Sequence, residues 1–99
     1  MEVELLYWDG CPSYPAALAD LRAALGEHVP VTVREVASEE QAVAEGFPGS
    51  PTIRVDGEDL FPIDDPSGLS CRVYRLADGR YSPTPDPGEL RERLRNAEV

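Results

Sequence analysis

Residues 2–26 read EVELLYWDGCPSYPAALADLRAALG. The segment 2–8 starts in alternation and ends in a continuous apolar run, a pattern typical of a strand that enters a covered sheet. Asp9 to Pro12 interrupts this strand. Large apolar residues then recur at spacings of four, three and four, as on one face of a helix, at Tyr14, Leu18, Leu21 and Leu25. Gly26 follows, where a helix C-terminus is expected. The stretch therefore predicts a strand followed by a helix.

A second strand-helix unit and a hairpin are predicted next. Residues 29–36 are rich in β-branched side chains, and Pro30 favours a strand beginning or a sheet edge. The segment 38–41, Ser-Glu-Glu-Gln, matches a capping box, and Gly46 lies one short helix later. Residues 52–55 read as a third strand. Asp56-Gly57 is typical of a two-residue hairpin turn, which returns the chain in a fourth strand over 58–61.

The remainder of the chain is rich in turns and ends in a helix. Residues 62–70 have a turn-like composition, and 71–76 alternate like another short strand. Asp86 as N-cap, Pro87 at the first helical position and Glu89 begin the last helix, whose buried stripe is Leu90 and Leu94.

The predicted order of elements is β-α-β-α-β-β-α, with an extra strand-like insertion before the last helix. Two βα units require parallel strands with right-handed crossovers, and the hairpin adds antiparallel strands to the same sheet. We therefore expect an α/β fold with a mixed four-stranded sheet and helices on both faces. A chain of 99 residues fits a single domain over 1–99.

Composition limits the classes of partner. Nine Lys and Arg against nineteen Asp and Glu give a net charge of −10, which repels phosphate backbones and anionic membrane surfaces. We expect no nucleic-acid partner and no membrane association. The first residues carry neither a basic segment nor a long apolar one, so we expect a cytoplasmic protein. Two cysteines are too few for a disulfide scaffold. With His28 as the only histidine, they are also too few for a four-ligand structural zinc site from one chain, so we expect no metal and no cofactor.

Two short motifs resemble those of the thioredoxin-like superfamily. They are Cys11-Pro12-Ser13-Tyr14, between the first strand and the first helix, and Ser50-Pro51-Thr52, before the third strand. In that superfamily a Cys-x-x-Cys motif and a cis-proline face each other across the active site of a three-layer fold. Cys11 matches the leading, nucleophilic cysteine. Tyr14 stands where the second cysteine would be, as in single-cysteine glutaredoxins. The chain is similar to small bacterial members with Gly-Cys-Pro near the N-terminus.

The position of Cys11 also has a physical interpretation. A thiol at the N-cap or first turn of a helix faces unpaired N–H groups and the positive end of the helix dipole, which favour the reactive thiolate. Pro12 suits the first turn, where its missing N–H costs nothing. Asp9 and the net charge oppose a further negative charge. Cys11 as a small buried apolar side chain remains the alternative.

The resemblance implies a cis bond before Pro51, with a trans loop proline as the alternative. A cis bond would let the carbonyl and N–H of Ser50 pair with an extended substrate peptide. Trp8 and Tyr14 are candidate aromatic walls of the site, together with Tyr7. Because Tyr7 and Trp8 are neighbours on a strand, they point to opposite faces. The predicted substrate-binding residues are thus Trp8, Pro12, Tyr14, Ser50 and Pro51. No lysine precedes Cys11, which argues against glutathione.

Two registers are open for Cys71. With a tight hairpin at Asp56-Gly57, the fourth strand returns to the end of the sheet that holds Cys11, because the third strand starts at that end, and Cys71 can approach Cys11. If the hairpin is long and residues 71–74 are the true fourth strand, Cys71 lies at the end of the sheet opposite Cys11. It is then too distant from Cys11 for a disulfide. The Asp-Gly dipeptide favours the first register. Both a pair with Cys11 and a buried strand position remain open for Cys71.

Three functions fit these residues. The first is thiol-disulfide exchange with a protein or small-molecule thiol or disulfide, with Cys11 as nucleophile and Cys71 or an external thiol as resolving group. The second is a non-catalytic thioredoxin-like module that binds a peptide at Ser50-Pro51. The third is capture of a soft metal such as Cu(I) or Hg(II) by the two thiolates, which requires them to be adjacent.

Overall fold

A computed structural model describes residues 1–97; residues 98 and 99, part of the predicted 1–99 domain, lie outside the described range. The helices and strands are, in order, β1 (Val3–Tyr7), α1 (Tyr14–Leu25), β2 (Val31–Glu35), α2 (Glu39–Glu45), β3 (Thr52–Val55), β4 (Glu58–Asp59), β5 (Tyr74–Arg75), β6 (Tyr81–Ser82) and α3 (Pro87–Ala97). The predicted order of the main elements is confirmed.

The first four strands form one mixed sheet in the order β2-β1-β3-β4. β1 is parallel to β2, with Leu5 opposite Val33, and antiparallel to β3, with Leu5 opposite Ile53. β4 is antiparallel to β3. The α/β class and the mixed four-stranded sheet are confirmed.

The direction of β3 corrects the expectation that both βα units give parallel strands. Ala42 of α2 and the following Phe47 pack against Leu6 and Val36, which lie where β1 and β2 finish. The connection between β2 and β3 therefore stays at this end of the sheet and does not return along β2. Thr52 instead pairs with Leu6, so β3 starts at the end of the sheet where β1 finishes.

The hairpin between β3 and β4 is tight, as predicted. Val55 pairs with Glu58, and both turn residues have positive φ, 52° at Asp56 and 83° at Gly57, as two-residue type I′ turns require. β4 ends two residues earlier than predicted. The N–H of Phe61 donates to the Asp59 carboxylate at 2.9 Å, which turns the chain out of the strand.

The core lies on both faces of the sheet because alternate residues of β1 point to opposite sides. One face packs against α1 and α3 through Val3, Leu5, Ala17, Leu21, Ile53, Val55, Leu90 and Leu94. The other face packs against α2 through Leu6, Val36, Ala42 and Phe47. Helices therefore cover both faces, as predicted.

The predicted caps of α2 and α3 are present. Gln41 N–H donates to the Ser38 hydroxyl at 3.1 Å, and Glu89 N–H donates to the Asp86 carboxylate at 2.9 Å. The insertion before α3 contains a separate two-stranded sheet, β5 with β6. Only the β5 part of the predicted 71–76 strand is a regular strand. Within residues 1–97, no helix has the length and apolar character needed to cross a lipid bilayer.

Candidate functional site

A disulfide joins Cys11 and Cys71, which are 60 residues apart in sequence. Their Cα atoms are 5.5 Å apart, within the ordinary range for such a bond. The tight hairpin and the approach of Cys71 to Cys11 are thus found together. The alternative of Cys71 as a buried strand residue is wrong, since the residue is exposed and forms an isolated bridge.

Cys11 lies before helix α1, not in its first turn. The N-cap is Ser13, two residues after Cys11, and Pro15 occupies the first turn that was predicted for Pro12. The reason is a local turn: Cys11 N–H donates to the Trp8 carbonyl at 3.0 Å, which holds the cysteine outside the helix. Its Sγ lies 3.5 Å from the Ser13 hydroxyl and 3.6 Å from the Ser50 carbonyl oxygen.

Cys71 is carried by a short extended segment, residues 70–72, which we call the strap. Ser50 N–H donates to the Ser70 carbonyl, and Arg72 N–H donates to the Ser50 carbonyl, both at 2.8 Å. The Ser50–Pro51 peptide bond is cis. From the sequence we expected the carbonyl and N–H of Ser50 to pair with an extended substrate peptide. The structure shows that the chain's own strap already occupies both of them.

A buried guanidinium anchors the strap on its C-terminal side. The Arg72 side chain retains 1% of its exposure, and Nη1 donates to the Asp59 carboxylate at 2.8 Å and to the Thr52 hydroxyl at 3.2 Å. Nη2 donates to the Phe61 carbonyl. A buried charge is tolerated only when it is paired and hydrogen-bonded, and Arg72 meets both conditions at two of its three nitrogens.

Tyr74 provides a second anchor next to the cis bond. Its hydroxyl donates to the Pro51 carbonyl at 2.6 Å, and the Arg72 guanidinium lies 4.6 Å from the centre of its ring. Burial raises the pKa of Tyr74 well above its ordinary value, although the nearby Arg72 charge opposes this. The phenol therefore remains a proton donor throughout the ordinary pH range.

The two cysteines differ in exposure. Cys11 retains 2% of its accessible surface, whereas Cys71 is exposed. Ser50, which lies between the strap and Cys11, is fully buried, and within residues 1–97 its hydroxyl has no hydrogen-bond partner. Of the two cysteines, Cys71 is therefore the one that solvent reaches.

The predicted aromatic wall is divided between the two faces of the sheet. Tyr14 stacks on Tyr7 with ring centres 4.0 Å apart, on the side of α1 and α3. Trp8 packs with the cluster that contains Phe47, on the side of α2. The structure thus brings Cys11, Cys71, Ser50 and Pro51 together, whereas the half-buried Tyr14 and Trp8 pack against the two separate cores, with the Trp8 ring over Gly10.

Arg72, Tyr74 and Gly49 were missed by sequence reasoning. Gly49 has φ of 135°, and a Cβ there would lie 3.0 Å from the Arg72 Cβ, so the strap passes directly over it. The 72 and 74 positions are on the inward side of the 71–76 alternation. The alternation does not indicate which of its two sides is buried, and the partner carboxylate of Arg72 is 13 residues away in sequence.

Two sulfurs held at bonding distance can cycle between disulfide and dithiol. In the described part of the chain, no group of three or more His, Cys, Asp or Glu side chains could hold a metal ion. Comparison of the chain with known protein families, curated proteins and solved structures gives no match.

Proposed function

We propose that this chain is a thioredoxin-like thiol-disulfide exchange protein whose redox pair is Cys11 and Cys71. The observation that carries the proposal is the meeting of these two residues, from distant parts of the sequence, at a Cα separation of 5.5 Å. The strand order and the cis bond at Ser50–Pro51, next to Cys11, support the thioredoxin-like assignment.

The anchors of the strap favour a reversible pair. The main-chain bonds of Ser50, the ion pair of Arg72 and the hydroxyl bond of Tyr74 all hold the strap without involving sulfur. After reduction they keep Cys71 beside Cys11, so closing the disulfide again is an intramolecular step with little entropy left to lose. The reduced pair transfers two electrons to an external disulfide, which leaves as two thiols while the protein disulfide forms.

The two other candidate functions fit the geometry differently. A module that binds an extended peptide at Ser50 needs the backbone groups that the strap occupies. Capture of a soft metal requires two adjacent thiolates, and reduction of this disulfide would leave Cys11 and Cys71 side by side. We therefore include a metal arm in the test.

The experiment is a mass measurement on the reduced protein mixed with cystamine, quenched with acid and alkylated. We expect the wild type to end as an intramolecular disulfide with release of two cysteamine molecules. Neither single variant, Cys11→Ser or Cys71→Ser, should pass beyond a mixed disulfide on its remaining cysteine, and the double variant should remain unmodified.

Wild type denatured in urea is the matched control, since it has the same thiols without the strap. If the Cys11–Cys71 disulfide closes no faster in the folded protein than in urea, the proposal is rejected. In the metal arm, Hg(II) is added to the reduced protein in a thiol buffer. A stable one-to-one complex combined with the absence of disulfide exchange would favour metal capture instead.

A further inference from the structure

We propose that Cys71 is the sulfur that exchanges with the external partner and that Cys11 is the buried sulfur that closes the pair. This inference rests on the proposed exchange function. It reverses the roles expected from the sequence, in which Cys11 attacks and Cys71 resolves.

Burial of Cys11 is the first argument. A thiolate attacks a disulfide along the S–S axis, from behind the sulfur that it attacks. Cys11 retains 2% exposure, and Gly49, Ser50 and Pro51 beside it are all buried. The Cys11 residue therefore offers almost no accessible surface to an incoming thiol or disulfide.

The orientation of the strap is the second argument. From Cys71 onward the chain alternates, with Cys71, Val73 and Arg75 exposed and Arg72 and Tyr74 buried. Val73 retains 58% exposure. The partner therefore reaches Cys71 from the outer surface of the strap.

The anchoring contacts preserve this arrangement in the dithiol. Ser50 holds the strap through its own N–H and carbonyl, and Arg72 is held by Asp59 and Thr52. Breaking the S–S bond removes none of these contacts. The difference in access between the two thiols thus persists after reduction.

The reaction then follows in two steps. The Cys71 thiolate attacks the external disulfide RS–SR, a mixed disulfide forms on Cys71, and one RS⁻ leaves and takes a proton from water. Cys11 loses its proton to water and attacks the Cys71 sulfur, and the second RS⁻ leaves. The two electrons come from the cysteine pair, which ends as the protein disulfide.

The partner needs only to reach the outer surface at Cys71. Because the strap occupies the Ser50 backbone, an extended peptide gains no pairing there. We therefore expect small disulfides to react as readily as a peptide disulfide of matched charge.

The test compares the single thiols of Cys11→Ser and Cys71→Ser in their reaction with 2,2′-dithiodipyridine, a neutral disulfide. We expect Cys71 to react at least about tenfold faster than Cys11 in the folded variants, and the two rates to converge in urea. Equal rates in the folded variants, or a faster Cys11, would overturn the assignment.

A measurement on the wild type avoids dependence on the folding of the variants. The oxidised protein is mixed with cysteamine, quenched within the first turnover and alkylated. We expect cysteamine on Cys71 and the alkyl label on Cys11. The opposite pattern refutes the role of Cys71 while the exchange function stands, whereas failure of the folded protein to exchange at all rejects the function itself.

Discussion

Ser50 and Cys71 form an isolated parallel β-bridge. The main chain of Ser50 is hydrogen-bonded to the two residues that flank Cys71. Ser50 N–H donates to Ser70, and its carbonyl accepts from Arg72. The alignment of the two sulfurs is therefore a property of the folded backbone as well as of the bond between them.

Arg72→Met should weaken this alignment. The change leaves the Asp59 carboxylate without its cation and the Phe61 carbonyl without its donor. Loss of one partner of a buried pair costs about 3 kcal/mol, so we expect a decrease of that size in the free energy of unfolding of the reduced protein. Urea titration measures it.

The control for that change is Arg80→Met. Arg80 pairs with Asp78, but its side chain is 81% exposed, so the expected decrease is below about 1 kcal/mol. A loss at Arg72 no greater than the loss at Arg80 would contradict an anchoring role.

Gly49→Ala should displace the strap. The φ of 135° disfavours a side chain, and the added Cβ would lie 3.0 Å from the Arg72 Cβ and 3.2 Å from its backbone nitrogen. We expect a loss of about 1–3 kcal/mol in stability and slower closure of the disulfide by the reduced protein. Alkylation at timed intervals follows the closure.

Gly68→Ala is the matched control, because its φ lies outside the left-handed region and its first neighbour, at 3.4 Å, is the end of the flexible Glu39 side chain. Closure at the wild-type rate is expected there. Equal effects of the two alanines would refute the close approach at Gly49.

The free energy of unfolding should decrease in acid because Glu45 becomes protonated. The hydrogen bond from Arg34 holds the pKa of this carboxyl below its ordinary value, although desolvation opposes the shift. A lowered pKa means that ionised Glu45 stabilises the fold above the ordinary value near 4.3. This contribution is lost as the pH falls below that value.

Glu45→Gln should therefore flatten the pH dependence of the unfolding free energy between neutral pH and pH 3, measured by urea titration. Exposed Glu92→Gln should leave the wild-type slope in place. Parallel profiles for wild type and Glu45→Gln would contradict the assigned pKa direction.

The negative charge of the protein should select among small disulfides. With a net charge of −10, cationic cystamine should react with the reduced protein faster than the dianionic 5,5′-dithiobis(2-nitrobenzoate), after each rate is divided by that for a free cysteine peptide. Added salt should reduce the difference. A salt-independent ratio would show that the charge of the chain does not act at the site.

Local signals predicted most of the fold. The apolar spacing from Tyr14, the caps at Ser38 and Asp86 and the Asp56-Gly57 turn each act within a few residues, and all are present. The rule for βα units gave the wrong direction for β3, whereas the tight-hairpin register, which returns the fourth strand to the Cys11 end, required β3 to start at that end, as it does.

The site depends on longer distances along the chain. Cys11 and Cys71 were singled out by residue type, and the tight turn made their meeting possible, but the pairing itself needs the strap over Gly49 and Ser50. Arg72 reads as an exposed residue in isolation. Its burial follows from Asp59, Thr52 and Phe61, which only the folded chain brings together.

The most direct test of the proposed exchange function is a redox titration of the folded protein. Wild type is equilibrated in buffers of graded dithiothreitol ratio and alkylated, and the reduced fraction is read by mass. We predict a single reversible two-electron transition between a dithiol and a Cys11–Cys71 disulfide. Cysteines that remain in one state across the whole range, or that pair only between molecules, would contradict it.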